Sequence, residues 1–524
     1  MTAPHWMDPR SEYDSLVALL DERADTHGDA EFCTFPDGER TFASLAERSR
    51  ELAAGLVEAG VEESDHVAML LYNRPAFLDI YFAAARLGAV TVPLNVSLRG
   101  DDLEYALTNA DSAVVIVGPD CREHYDEVAD DVAIDTEIAL TKTSGYDHLE
   151  TFYRTDGDVD DATTTQTDPL VTIYTSGTTG MPKGVVLPHG ALLTVGTELA
   201  EQVIKPTEED RLYMSQPLFH IFAQMVIVEG LVAGVPIAME RWFSTSKFWD
   251  RVKRHDATVI HFSSAISDIL YEETEAPDNP VRVAFGAIAD DIQAPFGDKF
   301  DCQVVPLYGL TECGGLALCG TVDDPQTGSL GTPTSYAAID IVDENDAPVA
   351  DDEQGEIVVR PTRPNAMFDR YYKKPERTVE ALDNQWLHTG DIGYRDEDGR
   401  FHFVDRKSYF LRRKGENVSV HEVERVLDEH PDVETAVVLG IDADVGGEEV
   451  LAALVPVEGS DIDPLDIVKF CEGRMAYFKI PRYIAVVDDV PRTETKGTVK
   501  RHTLKEQLDG DWWDLTDTDY ELDR

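Results

Sequence analysis

Tyr174-Thr175-Ser176-Gly177-Thr178-Thr179-Gly180-Met181-Pro182-Lys183-Gly184-Val185 is the stretch from which the rest of the chain can be read. It follows Pro169-Leu170-Val171-Thr172-Ile173, a short apolar and β-branched run that reads as a buried strand. Three glycines and a proline then rule out regular structure, while Ser176, Thr178 and Thr179 supply hydroxyls. Gly177, Gly180 and Gly184 allow backbone at φ > 0, so successive N–H groups can converge on an anion. Lys183 adds a mobile point charge of the kind that pairs with phosphate. A loop of this make-up after a strand is a phosphate cradle. A Walker A loop needs G-x-x-x-x-G-K-[ST], and Gly180 is followed by Met181-Pro182-Lys183-Gly184, so this cradle is of another type.

Upstream, Leu16, Leu19 and Leu20 recur at helical spacing, and so do Leu45, Leu52 and Leu56, with Gly60 as a helix stop. Residues 67–71 read as a strand, 76–87 as a helix ended by Gly88, 101–108 as a helix and 113–117 as a strand. From 118 to 167 the pattern weakens into acidic, Thr-rich loops. Beyond the cradle, strands are expected at 258–262, 281–285 and 303–307. The alternation predicts an α/β fold of parallel-type sheets covered by helices. Past Gly331, short strands such as 339–342 and 356–359 alternate with turn signals, as in a β-rich subdomain. A small α+β unit follows, with strands at 436–439, 451–455 and 484–487 and helices at 420–429 and 464–474. The expected division is a large N-terminal domain over 1–404, a hinge at 405–408 and a small mobile C-terminal domain over 409–524.

Composition narrows the partners. The 524 residues carry 101 acidic and 45 basic side chains, a net charge of −56, with 43% hydrophobic residues. The acids are spread along the chain, in runs such as Glu208-Glu209-Asp210 and Asp351-Asp352-Glu353. Such a chain repels any polyanion, which argues against nucleic acid and anionic membrane surfaces as partners. An acidic surface on a folded enzyme points to a salt-rich cytoplasm, where about 1 M salt shortens the repulsion to about 3 Å. Six cysteines show no C-x-x-C pair and no metal-type spacing, and read as reduced, structural thiols. Residues 1–10 show no basic region followed by an apolar one, so no signal peptide is expected. Residues 221–239 are apolar, but Gln224, Glu229, Gly230, Gly234 and Pro236 interrupt them, whereas a membrane span needs about 20 apolar residues. They read as a buried helix and the strand after it.

Other constellations follow in order. Tyr308-Gly309-Leu310-Thr311-Glu312 comes just after an expected strand, where ligands bind in open α/β sheets. An aromatic ring there can stack a nucleobase, Gly309 permits close approach, and Glu312 is a hard oxygen ligand suited to Mg²⁺. In Trp386-Leu387-His388-Thr389-Gly390-Asp391 a carboxylate fixed after a glycine turn can accept hydrogen bonds from two ribose hydroxyls. Asp405-Arg406-Lys407 and Pro491-Arg492-Thr493-Glu494-Thr495-Lys496-Gly497-Thr498-Val499-Lys500 stand further on.

Taken together these strings resemble, from about Thr41 to Lys505, the adenylate-forming superfamily of acyl-CoA synthetases, beetle luciferases and peptide-synthetase adenylation domains. The resemblance implies ATP and AMP contacts at Thr175, Ser176, Gly177, Thr178, Thr179, Gly180 and Lys183. It implies an adenine-binding stretch at Gly286-Ala287-Ile288, where the family more often shows Gly-Ala-Pro. It further implies nucleotide contacts at Tyr308, Gly309 and Thr311, Mg²⁺ on Glu312, and ribose or phosphate contacts at Asp391 and Arg406. Phe219-His220 resembles the motif bordering the acyl pocket, so His220 joins Thr311, Glu312 and Lys496 as candidate catalytic residues. Ser408 stands at the pivot where the family usually has Asp or Lys. Gly415-Glu416-Asn417 resembles the edge of the small domain that faces the thiol of coenzyme A. The last signature inverts the family's Gly-Lys order, which makes Lys496 the first candidate for the adenylation lysine and Lys500 the second.

The implied reaction is ATP + carboxylate → acyl-AMP + pyrophosphate, then acyl-AMP + CoA → acyl-CoA + AMP. The rivals are loading of a carrier protein in trans and a non-catalytic nucleotide-binding homologue. Phe219-His220-Ile221-Phe222-Ala223-Gln224 and Arg412-Arg413-Lys414-Gly415-Glu416-Asn417 look most like the crotonobetaine/carnitine-CoA ligase branch and neighbouring fatty acyl ligases. The acid itself is not identified, and homodimerisation stays open.

Overall fold

The computed structural model describes residues 13–522 except 135, 144, 156–160, 176–181, 344, 407–409, 415, 444–446, 458, 492–498 and 500. The expected α/β architecture is present: two large sheets sandwich a layer of helices. Among the described residues one sheet has nine strands, and its central strands Leu212–Met214, Val259–Phe262, Val283–Gly286 and Gln303–Tyr308 run parallel. The other has eight, with Val90–Pro93, His66–Leu70, Ser112–Val117 and Thr136–Ala139 parallel at its centre. The strand before the cradle, Pro169–Thr175, pairs in parallel with Val90–Pro93 and antiparallel with Lys183–Pro188.

Strand period sets which core each residue joins. Val67 and Met69 face the helices between the sheets, while Ala68 and Leu70 face the outer cluster under Gly100–Ala110. Val283 and Phe285 likewise face inward, and Ala284 faces Phe296 and Phe300 on the helix Gln293–Phe300. Strands apolar on both faces are what buried parallel sheets require. The inner layer includes Phe42–Glu58, Pro75–Arg86 and Ile221–Ala233. The last of these is buried nearly all round and is followed by the strand Ile237–Met239, as the apolar run predicts. No helix among the described residues is long and apolar enough to cross a membrane.

Two differences from the sequence reading have local causes. Residues 118–167 are not loop throughout. They add a short helix, Arg122–Asp126, the strand Thr136–Ala139 and the edge strand Asp147–His148, both strands too short to show a period. The hairpin Glu31–Phe35 and Gly38–Thr41, also unforeseen, extends the nine-stranded sheet by pairing Cys33 in parallel with Ile237.

Beyond these sheets, Ala337–Val342, Gly355–Pro361, Leu387–Arg395 and Phe401–Arg406 form an antiparallel sheet, the expected β-rich part. From Leu411 onward the chain has its own cores on the two faces of a four-stranded sheet. The helices Val420–Asp428 and Pro464–Cys471 pack on one face and Arg501–Leu508 on the other. All six cysteines are unpaired, and five are buried. Burial pushes the thiols of Cys121, Cys302 and Cys471 up to about 12, so they are inert at neutral pH.

The charge balance carries a stability prediction. At about 0.01 M salt the screening length is about 30 Å, long enough for acids on one face to repel those on another. The net charge of −56 should therefore lower the thermal midpoint progressively as salt is diluted. Melting curves that coincide between dilute buffer and molar salt would contradict this.

Candidate active site

The hairpin around the cradle is set by its register, with Thr175 opposite Lys183 and Tyr174 opposite Gly184. Ser176, Gly177, Thr178, Thr179 and Gly180 lie outside the described residues. The two rims are defined. Thr175 Oγ1 is buried without a hydrogen-bond partner, and Lys183 reaches across to the neighbouring loop. Its Nζ lies 2.8 Å from Glu312 Oε1 and donates at 2.6 Å to the Tyr371 hydroxyl, 4.0 Å from that ring's centre. Tyr371 in turn donates to Glu312 Oε1 at 2.7 Å. Burial pushes the Glu312 carboxyl up, but Lys183 and Tyr371 outweigh it and hold the group below its usual value, hence ionised. Burial, and then Glu312, push the Tyr371 phenol far up, so it stays a donor. Tyr371 was not foreseen. It arrives on the short strand Arg370–Tyr371, which pairs with Lys183–Pro188 and sets Tyr371 opposite Val185.

Glu312 is positioned by a one-turn helix, Thr311–Cys313, at the C-terminal end of the strand Gln303–Tyr308. Gly309 is needed there, because a Cβ on it would stand 2.2 Å from the carbonyl oxygen of Gly315. Gly309→Ala should therefore cost about 1–3 kcal/mol, as overpacking does, and lower the denaturant midpoint. An unchanged midpoint would show that the loop yields freely.

Tyr308 and Asp391, read as separate motifs, meet. The Tyr308 hydroxyl donates to Asp391 Oδ2 at 2.7 Å, with both side chains buried. Tyr308 is thus tied through its hydroxyl beneath the cleft. Asp391 also sits opposite Arg406 in the strand register, and the Arg406 side chain lies outside the described residues. Of the expected adenine stretch, Ala287 lines the cleft. Gly286 ends its strand, where a Cβ would meet the Phe262 carbonyl oxygen at 2.1 Å, and Ile288 is packed in the apolar core.

A cleft of about 410 Å³ gathers these pieces. Thr175, Lys183, His220, Gly309, Thr311 and Glu312 line it from the large sheets, and Lys414 and Glu416 line it from beyond the antiparallel sheet. Glu416 sits on the strand Glu416–Ser419, paired with Phe410–Arg413. Its Oε2 accepts from Asn95 Nδ2 at 3.2 Å and lies 3.6 Å from His220 Nε2. Arg412 donates to Ser264 Oγ at 2.5 Å across the same gap. Gly415, the Asn417 side chain, Ser408, Lys496 and Lys500 lie outside the described residues.

Residues 20–372 match the family model for AMP-binding enzymes, and residues 422–496 match that for the AMP-binding enzyme C-terminal domain. The chain belongs to the AMP-binding enzyme family. A crotonobetaine/carnitine–CoA ligase of Salmonella heidelberg (strain SL476) is 30% identical over 521 residues, covering 93% of this chain and 98% of that relative. Among solved structures, a double mutant of o-succinylbenzoate CoA synthetase from Bacillus subtilis, bound with a product analogue, superposes with a TM-score of 0.83. It is 25% identical, and the match covers 93% of this chain and 98% of that one. The same Bacillus subtilis enzyme in complex with its acyl-adenylate intermediate gives 0.67 at 26% identity, with 93% and 97% covered.

Proposed function

We propose that the chain is an AMP-forming acid–thiol ligase, which activates a carboxylic acid with ATP as acyl-AMP and transfers the acyl group to coenzyme A. The observation that carries this reading is the shared cleft, which Lys183 and Glu312 line together with Glu416 from the C-terminal unit. Lys183, Thr175 and the segment 176–180 would hold the phosphates, with Thr311 beside the α-phosphate. Asp391, with Arg406, would take the ribose hydroxyls, and Ala287 the adenine. No base is needed to activate the acid, since a carboxylate is already ionised at neutral pH. Catalysis then rests on positioning and on stabilising charge that develops as phosphate oxygens separate.

Glu312 fits Mg²⁺. It is an ionised hard ligand, and no group of three or more His, Cys, Asp or Glu able to hold a metal is found among the described residues. That suits a metal held by one carboxylate and substrate phosphates rather than by a closed protein cage. When bound, Mg²⁺ would neutralise charge on the leaving pyrophosphate.

The C-terminal domain, 409–524, would turn about 405–408, bringing Lys496 to the nucleotide for adenylation and Glu416 for thiol attack. The present arrangement is read as the thiol-attack one. The higher score against the Bacillus subtilis enzyme holding a product analogue than against its acyl-adenylate complex supports that reading. His220, 41% exposed and beside Glu416, would border the acyl group. The crotonobetaine/carnitine and fatty acyl ligases make short or fatty carboxylic acids the first to test, and the acidic surface suits a salt-rich cytoplasm.

The experiment is pyrophosphate release over a carboxylate panel, with and without CoA. Acid-dependent release with CoA-dependent turnover is expected. Adenylation that ignores CoA would favour a carrier protein as acceptor, and no release with any acid would leave a nucleotide-binding protein.

A further inference from the structure

A buried ion cluster joins the two parts of the chain beside the cleft. Lys479 Nζ lies 2.6 Å from Asp102 Oδ2 and 2.9 Å from Glu422 Oε2. Arg425 approaches the other oxygen of Asp102 at 3.6 Å. Asp102 and Glu422 are 2% exposed and Lys479 4%. Asp102 belongs to the helix Gly100–Ala110 under the eight-stranded sheet, whereas Glu422 and Arg425 belong to Val420–Asp428 in the C-terminal unit. The backbones also touch here, since a Cβ on Gly100 would stand 2.3 Å from the Gly473 carbonyl oxygen.

Lys479 is braced. Arg413 donates to the carbonyls of Phe478 at 3.1 Å and Ile480 at 2.7 Å, one on each side of it, and lies 2.6 Å from Glu449. Burial works against the charge on Lys479, but Glu422 and Asp102 outweigh it, so its pKa is raised and the lysine stays cationic. Glu422, Phe478 and Lys479 line the cleft, and Asp102 does not.

We propose that Asp102, acting through Lys479, is a positioning residue that latches the C-terminal unit in the present arrangement and so serves the thiol half-reaction. The proposal rests on the ligase reading and on the turn between two arrangements. Only interactions that differ between two states bias them, and this one does. When the C-terminal unit turns away, Asp102 is separated from Lys479 and both meet water. In the present arrangement, loss of Asp102 leaves the buried Lys479 with Glu422 in place of two carboxylates, and losing a partner of a buried charge is damaging. Depth also shields the pair from salt, unlike the acids on the surface.

The test uses Asp102→Asn in the full chain, a near-isosteric change that removes only the charge. Two half-reactions are measured with the acid that gives most pyrophosphate release from a panel of acetate to decanoate plus benzoate. Thioester formation from the synthetic acyl-AMP and CoA should slow at least about ten-fold in kcat, the scale expected when a buried partner is lost. Acid-dependent ATP–pyrophosphate exchange should keep its rate, a split that a general loss of structure would not produce. Lys479→Met should likewise slow thioester formation, and the double variant should add little to Asp102→Asn in that half-reaction.

A second readout does not depend on activity. Spin labels at Glu123 and Asp461, both exposed and one on each unit, should report one dominant separation in the parent chain. Asp102→Asn should add a second population. Equal loss of both half-reactions, an unchanged thioester rate, or identical distance distributions would overturn the latch. Failure of every acid in the panel would overturn the ligase reading instead, with the distance measurement still deciding the latch.

Discussion

Glu312→Gln is expected to lower overall turnover by about 10²-fold or more, the scale of losing one transition-state electrostatic contact. Glutamine keeps the size of the side chain and its bond from Tyr371, and removes the charge that Lys183 faces at 2.8 Å. Two things are lost together. The hard oxygen proposed for Mg²⁺ becomes a weakly ligating amide. Lys183 also loses its counter-charge, so its place above the Tyr371 ring is no longer set by an ion pair. Both changes bear on the pyrophosphate-releasing step, so the defect should appear in acid-dependent pyrophosphate release at saturating Mg²⁺. Near-parental turnover there would remove Glu312 from the machinery and leave its pairing with Lys183 a structural one.

Lys496→Ala should be at least as severe, and selective. A lysine bridging the carboxylate and the α-phosphate acts only while the C-terminal domain faces the nucleotide for adenylation. Its loss should abolish acyl-AMP formation while the variant still converts synthetic acyl-AMP and CoA to thioester. Lys500→Ala should be milder, because a strand or turn cannot aim both positions at one phosphate. The reverse ranking would transfer the role to Lys500 and show that the inverted Gly-Lys order is a one-residue insertion. Normal adenylation by both variants would mean that another group stabilises the α-phosphate. Asp102→Asn is expected to fail in the opposite half-reaction, so the two variants together separate the proposed arrangements.

What could be read in advance depended on whether the chemistry forces local residue choices. A phosphate cradle needs glycines, hydroxyls and a cation within a dozen positions, and a hard ligand near a strand end needs an acid there, so Lys183 and Glu312 stood out. Tyr371 bonds Glu312 from 59 positions away on a two-residue strand, and no local pattern marks such a pairing. The Asp102–Lys479 bond spans 377 positions and was equally hidden. Ile288 follows two small residues of the expected adenine stretch, yet strand direction turns it into the core. The hairpin Glu31–Thr41 did carry a signal, Pro36-Asp37-Gly38 between two short runs, a turn that fits hairpins. Strands such as His66–Leu70 and Val259–Phe262 were legible because both of their faces are apolar, and helices such as Phe42–Glu58 because leucines recur at helical spacing. The strands Thr136–Ala139 and Asp147–His148 were not, because 4 and 2 residues are too few for an alternation to register.

The parallel pairing of Cys33 with Ile237 also bears on how the protein is made. The hairpin that contains Cys33 leaves the ribosome early, but its sheet neighbour follows some two hundred residues later. At roughly 5–20 residues per second, the wait is on the order of ten to forty seconds. During that interval Phe32 and Phe35, buried in the finished core, have no sheet to join. The nascent N-terminal segment is therefore a natural client for a holding chaperone. A translation pause placed before residue 237 should lower the yield of native protein more than one placed after residue 240.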